Sequence, residues 1–581
     1  MKKKYTYVQF YTLGICLFFF IFYFNLRNYG LPYFVNFDET AHIKSINYFY
    51  GFFSNANQDI VEPIYSPLLH FLVTGTIFLI KFIIFSSYSL SEFKDLVFLN
   101  PDLLWSYTRL SSLIFSTLSI YLIFLISKKL KISNSFIFLS VTSISLSFFF
   151  ADISISAGKN AILLFLFLLQ YYFFLKYFFK INKFNSKAYI VIAILSTLAW
   201  GVNYWAATPG IYSIAILHYK KFSYSKLNKL IPFMIIFIFF GIFTNYIISA
   251  DKIFHHLFNP EYLAVTDYNE HSSSNRFMIF LDEIIIGINI IRNYEKILLE
   301  VFLILFLFVI IVKTRIDKKI IFFNLILISE PLFLFAIADY SHPAIRYFGP
   351  TISMIFITSS YIISNSSFKN SKINTVLKVS FFLILSIPIY EKYILFNKVG
   401  NILKTDYIQY DIFKDYKDKG KTIYNMPNYV YRENIENLNL YKNLLKLNLI
   451  KNNPDAGGKN TKEKIENKIQ IINSAAKNNI FPSSKKLIFF GGEFLIINLE
   501  KFFDYIEKDY DYYVIYENIN AKEFKYLKNN YEILDKYRAN DLAAFRQITI
   551  SFRDGYNQST IDKIIKIGSN FVVFNLKNKK F

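Results

Sequence analysis

The sequence predicts an α-helical polytopic membrane protein followed by a C-terminal α/β domain. Long apolar runs occupy most of residues 1–396, whereas charged residues and short β-rich runs return in residues 397–581. The chain of 581 residues is 54% hydrophobic, with a mean hydropathy of +0.32. A soluble protein of this length is rarely so apolar. We therefore expect a transmembrane domain over 1–396 and an α/β domain over 397–581.

About eleven apolar runs have the length and composition of membrane-spanning helices. A helix that crosses the hydrocarbon core needs about 20 mostly apolar residues. The first run follows Lys2–Lys4, as in a signal peptide, but no small-residue cleavage site follows it, so we predict an anchor. The runs are 10–26, 106–126, 133–151, 161–179, 188–203, 206–219, 230–249, 297–312, 320–338, 346–363 and 375–395.

The loops between these runs are basic on one side only, as the positive-inside rule requires. With a cytoplasmic N-terminus the inner loops carry many lysines and a single acidic residue, Asp317. Eleven crossings then leave the C-terminal domain extracytoplasmic, and we expect a bacterial inner (plasma) membrane protein. The inner loops are 127–132, 180–187, 220–229, 313–319 and 364–374.

One further apolar run, 64–85, does not fit this alternation. If it crossed the membrane, Lys128–Lys131 would face outwards. We therefore expect an interfacial or re-entrant helix pair within the first outer loop, 27–105, where covering protein can satisfy the backbone.

The C-terminal domain shows a change of pattern from long apolar runs to short alternating elements. Strands are predicted at 421–425, 486–490, 512–516, 548–552 and 570–576, and helices at 500–508 and 521–530. Asn452–Asn460, with its proline and two glycines, is the clearest predicted loop. Strands that alternate with helices are typical of a small α/β domain.

The net charge of +22 does not indicate a nucleic-acid partner, because so many lysines lie in the predicted inner loops. Membrane lipids are the expected partners instead. The single cysteine, Cys16, excludes an intramolecular disulfide. The motifs GxxxxGK[ST], HExxH and GxSxG are missing, so direct use of ATP or NAD is not expected.

Ionisable residues near the ends of apolar helices gather on the predicted outer side, where such charges often carry function. An adjacent acidic pair can accept a proton from an acceptor, or hold the acceptor or a divalent metal ion. Arginine and lysine beside it can bind a lipid-linked phosphate. His255, His256 and His271 lack zinc spacing. The gathered residues are Asp38, Glu39, Glu62, Arg109, Asp152, Lys159, Asp339, His342 and Arg346.

Several segments, in order, resemble the GT-C membrane glycosyltransferases of the dolichyl-phosphate-mannose–protein mannosyltransferase and aminoarabinose-transferase kind. NFDETAHIKSINYF resembles the acidic loop after the first helix and aligns Asp38, with Glu39 beside it, with the catalytic aspartate. VEPIYSPLLHFLV is similar to the proline-containing stretch that follows. Arg109, Lys159 and Arg346 lie at family arginines in YTRLSSLIFSTLSIYLIFLISKKL, SAGKNAILLFLFLLQYYFFLKY and HPAIRYFGPTISMIF. YYVIYEN and YEILDKYRANDLAAFRQ are similar to the closing strands.

The resemblance implies an inverting transfer of sugar from a polyprenyl-phosphate donor to a lipid, glycan or protein acceptor. It implies Asp38 and Glu39 as catalytic residues. Arg346, Lys159 and Arg109 are then the candidates for binding donor phosphate, and Asp152, Asp339, His342 and Glu62 are candidates for the acceptor or a divalent metal ion. Glu62 stands where many members have lysine, and the second proline of that loop is displaced to Pro67, so the role of that lysine is unfilled or moved to Lys159 or Arg346.

Each candidate also has a structural interpretation. Asp38 suits the N-cap of a helix over 40–50, and Glu39 suits its first turn. Asp152 could end a helix, and Arg346 could extend to headgroups at the interface. Arginines at membrane helix ends are common, which weakens the case for Arg109.

Two other functions remain open. A transporter or flippase of lipid-linked saccharides would have ionisable residues at mid-membrane and interrupted helices, and Glu330 beside Pro331 is the main feature of that kind. A structural or assembly protein explains the topology but not the acidic loop.

Overall fold

The computed structural model describes the chain in segments that carry most of the predicted apolar helices and part of the C-terminal region. The predictions for 64–85 (except Ile80) and 230–249 lie outside the described residues. The described residues are 6–26, 80, 101–156, 158–181, 186–200, 202, 204–221, 276–295, 297–311, 316–337, 345–366, 375–376, 378–390, 392–393, 416, 418–425, 435–452, 462, 465–466, 469–470, 472–473, 488–490, 494–517, 521–538 and 570–580.

Long apolar helices make up the N-terminal two thirds of the described chain. Three of them are long and apolar enough to cross a membrane, Tyr7–Asn25, Ser106–Lys129 and Asn160–Phe178, and a bent pair makes a fourth if counted as one span. The protein is therefore a membrane protein, as its composition predicts. The helices are α1 (Thr6–Leu26), α2 (Pro101–Lys129), α3 (Asn134–Ser145), α4 (Phe148–Ile155), α5 (Asn160–Phe178), α6 (Ser186–Trp200), α7 (Thr208–Lys221), α8 (Arg276–Tyr294), α9 (Leu298–Ile311), α10 (Lys318–Ile337), α11 (Gly349–Asn365) and α12 (Lys378–Tyr390).

Two predictions about these helices are wrong. The run 133–151 was expected to form one helix, but it forms α3 and α4, which meet at a bend of 54°. No helix is predicted between the runs 230–249 and 297–312, but residues 276–294 form α8. Asp282, Glu283 and Arg292 interrupt its apolar sequence, so it lacks the signal of a spanning helix.

The loops predicted to be cytoplasmic meet at one end of the helix bundle. Asn365 Nδ2 donates to Leu130 O at 3.3 Å, and Ser133 N donates to Ser364 Oγ at 3.1 Å. The backbone N–H of Asp317 lies 3.4 Å from the hydroxyl of Tyr361, at the same end. Three of the five predicted inner loops, 127–132, 313–319 and 364–374, are therefore neighbours here.

Polar side chains inside the bundle hydrogen-bond to one another across helices. Tyr171 donates its hydroxyl proton to Asn324 Oδ1 at 2.6 Å, and Asn324 Nδ2 donates to Thr358 Oγ1 at 3.0 Å. Gln170 accepts from Ser196 Oγ at 3.1 Å and from the backbone N–H of Gly210 at 3.0 Å. In a bundle surrounded by lipid such bonds stabilise and orient the packed helices.

The C-terminal region contains a five-stranded sheet in the order β3-β1-β5-β7-β6 and a two-stranded ribbon of β2 and β4. β1 is parallel to β3 and β5, whereas β7 is antiparallel to both of its neighbours. Four of the five predicted strands are strands here, and the fifth, 548–552, lies outside the described residues. The elements are β1 (Thr422–Asn425), α13 (Ile435–Lys446), β2 (Ile450–Asn452), β3 (Ile488–Phe490), β4 (Phe494–Ile496), α14 (Leu499–Ile506), β5 (Tyr512–Tyr516), α15 (Lys522–Asn530), β6 (Tyr531–Arg538) and β7 (Asn570–Lys579).

The buried apolar side chains of the described residues form two separate clusters. One runs from Val8 to Ile389 and fills the helix bundle. The other runs from Ile423 to Leu576 and lies between the sheet and its helices. Each region therefore has a hydrophobic core of its own.

Candidate functional site

The short helix α4 is the element on which the candidate residues converge. It begins after the bend at residues 146–147 and packs against α1, α2, α5 and the single 3₁₀ turn Ile345–Phe348. Its Phe149 and Phe150 are fully buried, and its Asp152 is 1% exposed. A carboxylate buried among phenylalanines is costly, and it is retained in a membrane protein chiefly where it has a function.

Asp152 lies within the helix rather than at its end, so the interpretation of Asp152 as a helix-ending residue is wrong. Tyr294, the last residue of α8, is buried and lies near enough to Asp152 to be affected by the charge of its carboxylate. The sequence did not predict the helix α8 that brings Tyr294 to this position.

Arg109 lies inside α2, which packs along α4. Its side chain is 2% exposed. Arg109 lies eight residues after the first residue of α2 but in the first turn of the candidate span Ser106–Lys129, so it is a buried arginine at the end of a membrane-spanning segment. Ser112, less than one turn further on, donates to the carbonyls of Thr108 and Gly158, each at 3.3 Å. The bond to Gly158 ties α2 to the residue that precedes Lys159.

Lys159 immediately precedes α5 and is only partly exposed. Burial lowers the pKa of its ammonium group to about 8. No described residue forms a hydrogen bond or an ion pair with that ammonium group, so it is a cation available to an anionic ligand. A buried cation without a partner is costly, and a bound phosphate would offset that cost.

The backbone of Arg346 lies in the Ile345–Phe348 turn, which contacts α4, α8, α10 and α11. Gly349 follows the turn directly, and a methyl group added there would come within 3.1 Å of the Phe149 ring. The main chain at Gly349, directly after this turn, is therefore close-packed against the helix that carries Asp152. Asp38, Glu39, Glu62, Asp339 and His342 lie outside the described residues.

The structure also contains a buried ion pair that sequence analysis missed. Lys392 donates to Glu295 Oε2 and to Ser143 Oγ, the latter at 2.9 Å, and Ser147 donates to Glu295 Oε1. Glu295 is 1% exposed and Lys392 is 7% exposed. The pair joins the end of α8 to both sides of the bend between α3 and α4. The sequence does place a charged residue, Lys392, inside the predicted span 375–395. Its partner Glu295 could not be recognised, because it lies 97 residues away in sequence.

The described residues include no group of three or more histidine, cysteine, aspartate or glutamate side chains arranged to hold a metal ion. The pair Asp38 and Glu39, which sequence analysis associated with a divalent metal ion, lies outside these residues. The part of the site that is described is thus two buried or partly buried cations and one buried carboxylate on packed helices, beside the backbone of a third cationic residue.

No family model matches the chain, and no curated protein matches its sequence. Among solved structures the chain is similar to the crystal structure of ArnT from Cupriavidus metallidurans bound to undecaprenyl phosphate. The match covers 70% of this chain and 72% of that chain, at 12% sequence identity and a TM-score of 0.33. A TM-score of 0.33 marks only a partial likeness in fold, so the function proposed below depends on the residues of this chain.

Proposed function

We propose that the protein transfers a sugar from a polyprenyl-phosphate donor to a lipid, glycan or protein acceptor at the extracytoplasmic face of the membrane. The observation that carries the proposal is the convergence on α4 of Arg109, Asp152, Lys159 and the backbone of Arg346. Ionisable groups buried together in an apolar bundle are expected to bind or transform a charged ligand.

The position of Arg109 along α2 supports a site near the outer surface of the membrane. Arg109 and Lys129 lie 20 residues apart on the single helix α2, which is about 30 Å at 1.5 Å per residue. That length equals the thickness of the hydrocarbon core, about 30 Å. Since Lys128 and Lys129 belong to a predicted cytoplasmic loop, the other end of α2 is on the outer side.

Lys159 and Arg346 are the proposed ligands of the donor phosphate, with Arg109 as a third. The phosphate leaves with a negative charge as the glycosidic bond to it breaks, and fixed cations stabilise that charge in the transition state. Asp38 is the proposed base that accepts the proton of the acceptor hydroxyl or amine, or the carboxylate that holds the acceptor while a divalent metal ion assists. Asp152 is proposed to orient the acceptor.

The decisive experiment compares Asp38→Asn with Asp317→Asn in purified protein supplied with a radiolabelled polyprenyl-phosphate sugar. Loss of a general base lowers rates by about 10²–10⁴-fold, so we expect the first variant to lose almost all transfer. Asp317 lies at the opposite end of the bundle, where its carboxylate accepts from Lys319 N at 3.0 Å, and asparagine can make the same bond. Full transfer by a correctly inserted Asp38→Asn variant would refute the mechanism. EDTA in the same assay tests the role of a divalent cation.

The alternative function as a transporter or flippase of lipid-linked saccharides depends on Glu330. Its carboxylate accepts from Thr208 Oγ1 at 2.7 Å and is thus bonded to a neighbouring helix within the bundle. That contact matches an interior structural residue as well as a transport site. Radiolabelled donor in sealed vesicles distinguishes the two functions, because a transporter moves the label across the membrane unchanged, whereas a transferase moves it to an acceptor.

A further inference from the structure

A polar cleft of about 790 Å³ lies in the C-terminal region, away from the residues discussed so far. It is bounded by α13, by the end of α14 and by the segments that lead into β1 and β5. These segments end at neighbouring parallel strands, so the cleft lies at the amino-terminal edge of that part of the sheet. Clefts of about 300–1,000 Å³ are the usual size for small-molecule sites.

One side of the cleft is a polar stripe on α13. Glu436, Asn439 and Asn443 recur at a spacing of three and four residues, which places them on one face of the helix. All three are exposed, whereas Leu438, Tyr441 and Leu444 on the opposite face are buried in the core. The amides of Asn439 and Asn443 make no hydrogen bond to any described residue. Each therefore offers a donor and an acceptor to a ligand.

The side of the cleft opposite α13 carries tyrosine and aspartate side chains. Tyr505 and Tyr510 line the cleft together with Asp509. Burial, with the nearby charges of Asp509 and Glu436, raises the pKa of Tyr510 above its ordinary value of 10, so its hydroxyl remains a donor. Tyr505 is half-buried and can present part of its ring to the cleft, whereas the ring of Tyr510 packs in the core.

The charged side chains that line the cleft disfavour an anionic ligand. Four carboxylates, Asp418, Glu436, Asp509 and Asp511, line the cleft with only two lysines, Lys419 and Lys421. A phosphate or a sulfated chain would be repelled by this excess. Few aliphatic side chains line the cleft, which also disfavours a lipid tail.

A cationic ligand is disfavoured by the partners that Asp511 already has. Its Oδ2 accepts from the backbone N–H of Lys421 at 2.9 Å, and its Oδ1 lies 3.9 Å from Lys577 Nζ. With this carboxylate engaged, the remaining excess of negative charge is small. The three other carboxylates, the two lysines, the amides and the hydroxyls can all form hydrogen bonds with an uncharged polar ligand.

We infer that this cleft binds an uncharged saccharide chain. Such a ligand presents hydroxyl groups that donate and accept on all sides, which Asn439, Asn443 and the Tyr510 hydroxyl can match, and pyranose faces that can pack on the ring of Tyr505. The inference goes beyond the proposed function, since it requires neither the donor lipid nor a transfer step. A volume of about 790 Å³ accommodates two or three sugar residues.

The test uses full-length protein in nanodiscs, because glycoside detergents would compete for the cleft. Saturation-transfer difference NMR is recorded with maltotriose, mannotriose and chitotriose, and with trilysine as the cationic rival. We expect at least one trisaccharide to receive saturation and trilysine to receive none. The double variant Asn439→Ala/Asn443→Ala removes several hydrogen bonds and should weaken trisaccharide binding about tenfold.

The matched control is Asn529→Ala, since Asn529 is an exposed asparagine on α15 outside the cleft. It should bind the trisaccharide as the wild type does. Asp38→Asn should also bind normally, which separates failure of this inference from failure of the proposed transfer reaction. Absence of binding by all three trisaccharides, unchanged binding by the double variant, or preference for trilysine overturns the inference.

Discussion

Lys159 is the residue at which burial and charge oppose each other most clearly. With its pKa lowered to about 8, the ammonium group is half charged at about pH 8 and mostly charged at about pH 7. Because the unfolded chain binds this proton more tightly, the stability of the fold rises as the pH rises from about 8 to the ordinary lysine pKa of 10.5, and burial of the charged group costs stability below that window. The candidate ligand, a polyprenyl phosphate, is a dianion above its second pKa of about 6 and does not change charge in the same range. The pH dependence of phosphate binding should therefore report on Lys159 alone.

We expect wild-type affinity for a short-chain polyprenyl phosphate to fall about tenfold between about pH 7 and about pH 9, as the ammonium group loses its proton. Lys159→Arg should bind with little change over that range, because a guanidinium stays charged. Lys159→Met should bind weakly at both values. Native mass spectrometry or fluorescence titration in nanodiscs measures these affinities. An equal pH dependence in wild type and Lys159→Arg would assign the titration to another group.

The pair Glu295–Lys392 acts at the scale of helices, because it joins α8 and the segment after α12 to both sides of the bend before α4. Loss of one partner leaves a buried charge uncompensated, at a cost of about 3–5 kcal/mol. We expect Lys392→Met to lower the thermal stability strongly and to weaken acceptor binding, since α4 carries Asp152. Thermal unfolding in nanodiscs measures the first effect.

The control for this prediction is the double variant Glu295→Gln/Lys392→Met, which removes both charges. It should recover a large part of the stability lost by Lys392→Met alone, and the difference gives the coupling energy of the pair. If the double variant is as unstable as the sum of the two single variants, the two side chains do not interact in the folded protein.

Close packing of α7 on its neighbours depends on the absence of a side chain at Gly210. A methyl group there would lie 1.7 Å from Ser196 Oγ and 2.4 Å from Gln170 Oε1, so those side chains would have to move. Small residues at such contacts let membrane helices approach closely. We expect Gly210→Ala to destabilise the bundle by about 1–3 kcal/mol in thermal unfolding. Gly14→Ala, where nothing lies within 4 Å, is the matched control and should be neutral or slightly stabilising.

The sequence predicts elements well where one local pattern decides them. α1, α5 and α9 begin and end within a few residues of the predicted bounds, because an apolar run of the right length has few other possible structures. Strand β5 falls on the predicted residues 512–516 for a similar reason. The bend before α4 was not predicted, although Ser147, the N-cap residue of α4, interrupts the apolar sequence there and serine is common at helix starts.

Contacts between distant segments account for what the sequence could not show at the candidate site. Arg109 was recognised as a candidate, but its burial depends on how α2 packs against its neighbours. Glu295 lies outside every predicted span, and its ion pair with Lys392 depends on the tertiary fold. The family resemblance pointed to Lys159 and Arg346, whose elements both contact α4 or its flanking residues. The roles of Asp38 and Glu39 stay predictions.

At the scale of the whole molecule, the proposal requires every reacting group to face the same side of the membrane. The described helices already separate the lysine-rich loops from the Arg109 end of α2 by about 30 Å. This separation predicts that residues 38 and 346 share the outer side, whereas the start of α10 faces the cytoplasm. If they faced opposite sides of the membrane, Asp38, Glu39 and Arg346 could not act on one ligand.

Cysteine labelling tests this arrangement directly, because Cys16 is the only native thiol and is buried. In a Cys16→Ser background, Asp38→Cys and Arg346→Cys should react with a membrane-impermeant thiosulfonate added to intact cells. Lys318→Cys, at the exposed first residue of α10, should react only after permeabilisation. Total thiol measured in denatured protein normalises each signal. Labelling of residues 38 and 346 from opposite sides would separate the base from the phosphate site and would exclude the transfer reaction proposed for this protein.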